Sequence, residues 1–229
     1  LHIVDVIIRS LEEKQFDICL YFLAHHIFDT GHLHYALKLA ILHMQKDIIY
    51  KIVDYDVRLN EQYERGDSVL HLAILKKLWG IVELLIDQNI DCNLLNEEHK
   101  CALHVAIEHA APDKIIHALL QRTDASIILQ GNSNGFTIMH EACIRENIPL
   151  IIHLSKSMPH LINQKSTSGK TPLMCAILHR KTRSINALLE LAHIDLSIVD
   201  NEGNTALHHV LISQLNLACK SANAKKIMA

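Results

Sequence analysis

Residues 70–75 read Leu70-His71-Leu72-Ala73-Ile74-Leu75, and this stretch decides the fold because the chain repeats it. A near copy, Leu37-Lys38-Leu39-Ala40-Ile41-Leu42, lies 33 residues earlier, and Leu103-His104-Val105-Ala106-Ile107 lies 33 residues later. Related segments begin at Met139, Leu173 and Leu207, at intervals of 36, 34 and 34 residues. A fixed period of this size predicts an array of stacked helical units, because one such unit cannot bury its apolar face alone.

Four of these segments follow a lead-in that joins a glycine to a hydroxyl residue. The lead-ins are Gly66-Asp67-Ser68-Val69, Gly135-Phe136-Thr137-Ile138, Gly169-Lys170-Thr171-Pro172 and Gly203-Asn204-Thr205-Ala206. A hydroxyl residue before a helix caps its free amides, and proline at the first helical position loses no hydrogen bond. The triplet Gly169-Lys170-Thr171 is therefore a helix start. It is not a phosphate-binding loop, because Gln164 stands where such a loop needs its first glycine.

The repeated unit resembles the ankyrin repeat, whose hallmark is Gly-x-Thr-Pro-Leu-His-x-Ala with a period of 33. Its second half is similar too: Ile81-Val82-Glu83-Leu84-Leu85-Ile86 matches the family's second helix, and Asn89-Ile90-Asp91-Cys92-Asn93 its hairpin. The resemblance implies an all-α repeat protein, an ankyrin-repeat solenoid of helix-turn-helix units with short β-hairpin-like loops. It also implies a structural role for one histidine in each motif, namely His71, His104, His140 and His208.

The repeat period also predicts how the chain is organised. We expect residues 1–36 to form a degenerate N-terminal capping repeat, because terminal repeats face water on one side. Residues 31–217 are expected to form one ankyrin-repeat array of about six units, with the leucine slot at 37, 70, 103, 139, 173 and 207. Residues 218–229 are predicted to be a C-terminal cap or linker. The 36-residue interval places inserted residues around 110–113 and 123–126.

Composition argues against several classes of partner. The net charge is −3 and aromatic residues make up 4% of the chain, which disfavours nucleic acid. No apolar run reaches the roughly 18 residues that a membrane span requires. Six irregularly spaced cysteines indicate a reducing, intracellular and cytoplasmic setting, which would be the host-cell cytosol for a bacterial effector. We expect a monomeric array without cofactors, and a longer protein around it because the chain begins at Leu1.

Three tempting sites have simpler explanations. Residues 65–68 spell the integrin-binding tetrapeptide Arg-Gly-Asp-Ser, but the repeat already requires its glycine and serine. The pairs His140/Cys143 and Cys101/His104 have helical spacing but lack the four ligands of a structural zinc site. Catalysis by a cysteine and a histidine needs converging groups, whereas an array spreads its residues along its length. We therefore predict no metal site and no catalytic residue in these 229 residues.

The resemblance implies that a partner protein binds at the loops before the first helices, here called the loop tips, and at the C-terminal ends of those helices. Phe136, Arg145 and Arg65 lead the candidates, because aromatic and arginine side chains anchor interfaces. The alternative for Phe136 is packing against an adjacent loop. Asn93 resembles the asparagine that asparaginyl hydroxylases modify, and its alternative is an ordinary hairpin residue. The partner-binding candidates are Arg65, Asp67, Lys100, Phe136 and Lys170 at the tips and His109, Arg145 and His179 at the helix ends.

Four functions follow as hypotheses. The first is a protein-protein interaction module within a larger adaptor or effector protein. The second is masking of a transcription factor, because residues 66–74 are similar to an early repeat of the NF-κB inhibitor family. The third is the non-catalytic part of a bacterial effector enzyme, suggested by the isoleucine-, lysine-, asparagine- and histidine-rich, glycine-poor composition. The fourth, a cysteine-histidine enzyme, is the least favoured.

Overall fold

The computed structural model describes residues 3–25, 32–55 and 57–213, and these residues form successive pairs of helices joined by short turns. The predicted C-terminal cap at 218–229 lies outside the described residues. A 3-10 helix, Pro159–Asn163, follows the eleventh helix, and residues 206–213 are helical. The helices are α1 (Ile3–Glu12), α2 (Phe16–His25), α3 (Leu33–Leu42), α4 (Lys46–Val53), α5 (Val69–Leu75), α6 (Trp79–Asp87), α7 (Ala102–Glu108), α8 (Asp113–Arg122), α9 (Ala125–Leu129), α10 (Ile138–Ile144), α11 (Ile148–Ser157), α12 (Pro172–Leu178) and α13 (Thr182–Leu189).

The chain divides into two compact units, Leu1–Asp124 and Ala125–Ala229. The first unit contains α1 to α8, and the second contains α9 to α13. The division lies within residues 123–126, where an insertion was expected. The short helix α9 begins there, at Ala125. The exact limits of the predicted repeats stay predictions.

Within each unit, first helices pack on first helices and second helices on second helices. In the first unit α1, α3, α5 and α7 contact one another in succession, as do α2, α4, α6 and α8. In the second unit α10 contacts α12, and α11 contacts α13. The repeated apolar positions form these interfaces: Leu70, Ala73 and Leu103 are fully buried. Burying one such leucine stabilises the fold by about 2 kcal/mol, and the small alanine lets the helices approach closely.

The turns between the two helices of a repeat use left-handed residues that are not glycine. Six of them have φ between 54° and 59°, namely Lys14, Met44, Lys77, Ala110, Glu146 and Arg180. Each costs about 1 kcal/mol relative to an unstrained backbone, because a β-carbon crowds the neighbouring carbonyl in this region. The chain has seven glycines, and none of them stands at these six turn positions.

The loop tips are tight turns closed by a polar side chain. Asn96 accepts backbone hydrogen bonds from Glu98 and Lys100 at 3.0 Å, and Asn132 and Asp200 occupy the same place in later repeats. Gly135 has a φ of +71°, and a β-carbon on it would lie 2.5 Å from the Thr167 nitrogen of the next tip. Both the turn and the stacking of successive tips therefore require glycine there.

Candidate functional site

Two of the motif histidines, His71 and His140, join a helix start to the loop tip of the next repeat. The Ser68 amide donates to Nδ1 of His71, so Nε2 carries the hydrogen and donates to the Lys100 carbonyl at 3.0 Å. His140 makes the same bridge between Thr137 and the Lys170 carbonyl, also at 3.0 Å. Burial disfavours the charged ring and lowers the pKa of His140 to about 4. These geometries agree with the structural role that the resemblance implied.

The other two motif histidines vary this arrangement. Nδ1 of His104 lies 3.2 Å from the Cys101 thiol, which replaces the hydroxyl of the other repeats. His208 lies 2.7 Å from the Thr205 hydroxyl but is exposed to solvent. The contact to the helix start is therefore present in all four repeats, and the buried bridge to the next tip is established for His71 and His140.

The described cysteines are buried, free thiols. Burial raises the pKa of Cys101 and of Cys143, the two cysteines that stand three residues from a histidine. A nucleophilic cysteine needs a thiolate, which a lowered pKa supplies, so neither side chain is activated.

Within 3–25, 32–55 and 57–213 no three His, Cys, Asp or Glu side chains converge as metal ligands. No helix in those ranges is long and apolar enough to cross a membrane.

Four of the sequence-predicted partner-binding residues line one cleft in the first unit. This cleft, of about 180 Å³, lies between the tips of the third and fourth repeats and the ends of α5 and α7. The chain brings residues together there that are more than 40 positions apart. The lining residues are Arg65, Asp67, Leu75, Asn96, Glu98, Lys100, Val105, Glu108 and His109.

A chain of ion pairs crosses the cleft. The Arg65 guanidinium lies 2.8 Å from Glu98, whose second oxygen lies 2.8 Å from Nζ of Lys100. The same ammonium lies 2.7 Å from Glu108. Burial by itself lowers the pKa of Lys100, but the two carboxylates outweigh it and raise this pKa above its ordinary value. The side chain of Lys100 is 14% exposed, whereas that of Arg65 is 72% exposed and reaches solvent.

Two of the predicted tip residues are less accessible than their position suggested. Asp67 is 7% exposed, and its carboxylate accepts a hydrogen bond from Asn96 at 2.9 Å. It supports the next loop tip, so little of the carboxylate is exposed for a partner, and partner binding by Asp67 stays a prediction. Lys100 is mostly covered because Glu98 and Glu108 hold it. Sequence reasoning missed Glu108 and Leu75, which stand at the same distance after the leucine slot in adjacent repeats.

The remaining four candidates belong to the second unit. Phe136 is half-buried, and its ring stacks on His140 with centroids 5.4 Å apart and an angle of 8° between the planes. It therefore packs on the helix of its own repeat. Lys170 is largely covered and lies 3.8 Å from the buried Asp200 carboxylate. Arg145 and His179 are exposed at the C-terminal ends of α10 and α12.

Asn93, the predicted modification site, is part of a repeated hairpin contact. Its side-chain oxygen accepts a hydrogen bond from the Asp124 amide at 2.8 Å, and its own amide donates to Asp91 at 2.8 Å. Asn60 and Asn163 hold the Asp91 and Asp195 amides in the same way. The asparagine thus has a structural role in linking neighbouring hairpins, and its modification stays a prediction.

Helix pairs stacked in register, with polar tips closed by side chains and bridged by buried histidines, define a helical repeat protein. A family model described as "Ankyrin repeats (3 copies)" matches residues 33–129, 70–160, 110–198 and 139–221. The chain therefore belongs to the ankyrin-repeat family.

Several known proteins are similar to this chain. The Nuclear factor NF-kappa-B p105 subunit of Gallus gallus is 25% identical over 76% of this chain, which spans 18% of that protein. NF-kappa-B inhibitor alpha of Mus musculus is 29% identical over 52% of this chain and 40% of its own length. The chain thus spans less than half of either relative.

Two solved structures share the fold. One is a chain in the complex of a predatory endopeptidase from Bdellovibrio bacteriovorus with an immunity protein, with a TM-score of 0.68, 23% identity and coverage of 79% of this chain and 92% of that one. The other is the ankyrin repeat domain of Bcl-3, with a TM-score of 0.63, 23% identity and coverage of 76% and 78%. At this identity they support the fold alone.

Proposed function

We propose that this chain binds a partner protein through its loop tips and the C-terminal ends of its first helices. Ankyrin repeats are a protein-protein interaction module. The observation that carries the finer proposal is the cleft of the first unit, on which Arg65, Lys100 and His109 meet. A larger adaptor or effector protein that contains this module, located inside the cell where the thiols stay reduced, belongs to the same proposal.

The physical basis is a separation of duties within each unit. The faces between neighbouring helices are buried and supply the stability, so the tips and helix ends are available for contacts with another molecule. Leu75, which is 38% exposed, offers an apolar surface inside the cleft, and the exposed Arg65 stands at its rim. The exposed arginine supports partner binding here, because arginine is enriched among the residues that dominate interface energies.

Binding through this surface is tested by site-specific photo-crosslinking in an extract. We expect a cross-linker at Arg65 or His179 to capture a protein, whereas one at Lys51 or Lys156, which are exposed on the second helices α4 and α11, captures none. The double variant Arg65→Ala/His109→Ala should lose the captured protein without a change in circular dichroism. Capture only from the second helices would contradict the proposal.

A second candidate function is masking of a transcription factor. It is favoured by the similarity to the NF-kappa-B p105 subunit and to NF-kappa-B inhibitor alpha. If this is the function, the purified chain should bind a purified NF-κB dimer and displace it from its DNA site in a gel-shift assay. Binding of a photo-captured protein together with no effect on the NF-κB–DNA complex would reject masking and leave the general proposal intact.

A further inference from the structure

The second unit presents a set of cations where its repeats turn from first to second helix. We call Arg145, Arg180, Lys181 and Arg183 the basic edge. Arg145 ends α10, Arg180 and Lys181 form the turn between α12 and α13, and Arg183 lies in the first turn of α13. The three arginines are exposed and Lys181 is partly exposed.

Two hydrogen bonds hold these turns side by side. The buried Ser184 hydroxyl donates to the Cys143 carbonyl at 2.8 Å and ties the start of α13 to the end of α10. The Arg183 amide donates to a Glu146 carboxylate oxygen at 3.0 Å. Because these contacts are between neighbouring repeats, the four cations, which are up to 38 residues apart in sequence, lie along one edge.

The positive charge of the basic edge is only partly balanced. Residues 178–184 contain three cations, Arg180, Lys181 and Arg183, and no carboxylate. The Glu146 carboxylate of the preceding repeat accepts the Arg183 amide through one oxygen. In the part of the chain that the structure describes, Arg180, Lys181 and Arg183 form no ion pair. An excess of like charge on an exposed edge attracts a ligand of opposite charge.

We propose that the basic edge docks an acidic segment of the partner protein, a run of Asp and Glu side chains. This inference rests on the proposed function and specifies the chemistry of the partner. Guanidinium groups bind carboxylates in a bidentate manner, which favours an acidic peptide. Segments 141–147 and 178–184 contain no Phe, Tyr or Trp on which a base would stack, and the whole chain carries a net charge of −3. These two features disfavour a nucleic acid.

The test measures binding of a fluorescent peptide that alternates Glu and Ser, followed by anisotropy. The triple variant Arg180→Gln/Lys181→Gln/Arg183→Gln should bind this peptide about tenfold more weakly, since it removes three exposed charge pairs. Wild-type binding should also weaken between about 50 mM and about 500 mM salt, because exposed charges are screened. The matched control Lys46→Gln/Lys51→Gln/Lys156→Gln removes three exposed lysines outside the edge and should bind as wild type does.

Circular dichroism establishes that the variants are folded, and the double variant Arg180→Gln/Lys181→Gln replaces the triple one if the start of α13 is disturbed. Undetectable peptide binding, or equal losses in the triple variant and the control, would overturn the inference. Tighter binding of single-stranded RNA or of anionic vesicles than of the peptide would overturn it as well. None of these results affects the proposed function, because photo-capture at Arg65 in the first unit tests that separately.

Discussion

In the unit Leu1–Asp124, Nζ of Lys100 lies 2.8 Å from a Glu98 carboxylate oxygen and 2.7 Å from one of Glu108. The basic edge of the unit Ala125–Ala229 differs, because among the described residues Arg180, Lys181 and Arg183 form no ion pair. Further pairs in the first unit join Arg65 to Glu98 and Lys114 to Glu83. A cation covered by two carboxylates contributes to the fold, while an exposed one without a partner is available for binding. The comparison therefore separates charges that stabilise the fold from exposed charges for which we propose a role in recognition.

Both units nevertheless use the same internal bridge, in which a buried histidine joins a helix start to the following tip. The first unit has it at His71 and the second at His140. Both units are therefore stabilised in the same way by a buried histidine. The difference between their surface charges is independent of this bridge.

The largest effect is expected from breaking the bridge in one unit at a time. His140→Ala should lower the free energy of unfolding by about 3 kcal/mol, because Thr137 and the Lys170 carbonyl lose a buried partner and a cavity remains. Trp79, the single tryptophan of the chain, lies in the first unit, so its fluorescence follows that unit while circular dichroism follows both. In urea titrations the circular dichroism midpoint should fall and the Trp79 midpoint should stay.

His71→Ala is the matched control, since it should lower the Trp79 midpoint. Equal shifts of both signals in both variants would show that the two units unfold as one, and the comparison would then have to be made between repeats.

Acid should weaken the second unit through the same histidine. The folded pKa of His140 is about 4, below the ordinary 6.5, because burial disfavours the charged ring. The unfolded chain binds this proton at a higher pH than the folded chain does. The stabilisation that depends on the neutral His140 ring is therefore complete above pH 6.5 and is lost as the pH falls from 6.5 to 4. The loss amounts to about 3 kcal/mol. Urea midpoints by circular dichroism across this range measure it, and an unchanged pH dependence in His140→Ala would exclude His140 as the cause.

A smaller effect is expected from the ion pairs of the cleft. Lys100→Met should destabilise the first unit by about 1 kcal/mol, because Glu98 and Glu108 then face each other without their shared ammonium. Lys114→Met, which removes an exposed partner of Glu83, serves as the control and should leave the Trp79 midpoint unchanged. If both variants shift the midpoint equally, the cleft charges are no more important to the fold than surface pairs.

The smallest effect is expected on the basic edge itself. The triple variant Arg180→Gln/Lys181→Gln/Arg183→Gln should change the free energy of unfolding by no more than about 0.5 kcal/mol, because these exposed side chains form no ion pair in the described part of the chain. Thermal unfolding followed by circular dichroism measures this change. A destabilisation as large as that of Lys100→Met would assign the basic edge to the fold rather than to recognition.

Much of the fold was predictable from local residues. Thr171 was expected to start a helix, and its hydroxyl accepts a hydrogen bond from the Met174 amide while Pro172 stands at the first helical position.

Four of the eight predicted partner-binding residues share one cleft. The burial of Asp67 was not predictable, because its partner Asn96 belongs to the next repeat. The stacking of Phe136 on His140 was missed although the two residues are only four positions apart, since side-chain direction at the tip depends on the turn.

The amino-acid sequence alone was sufficient to establish the family, the helix pairs and the residues that cap them. Its hydroxyl caps and apolar spacing act within about ten residues of each position, and its repeat period is visible along the sequence itself, so no distant contact is needed to recognise them. The tertiary structure was needed to show which charges are neutralised and which are not. Arg65 meets Glu98, and the Arg183 amide meets Glu146, only because stacking sets one repeat against the next. Pair distances across that stack are a property of packing, and the local pattern does not contain them.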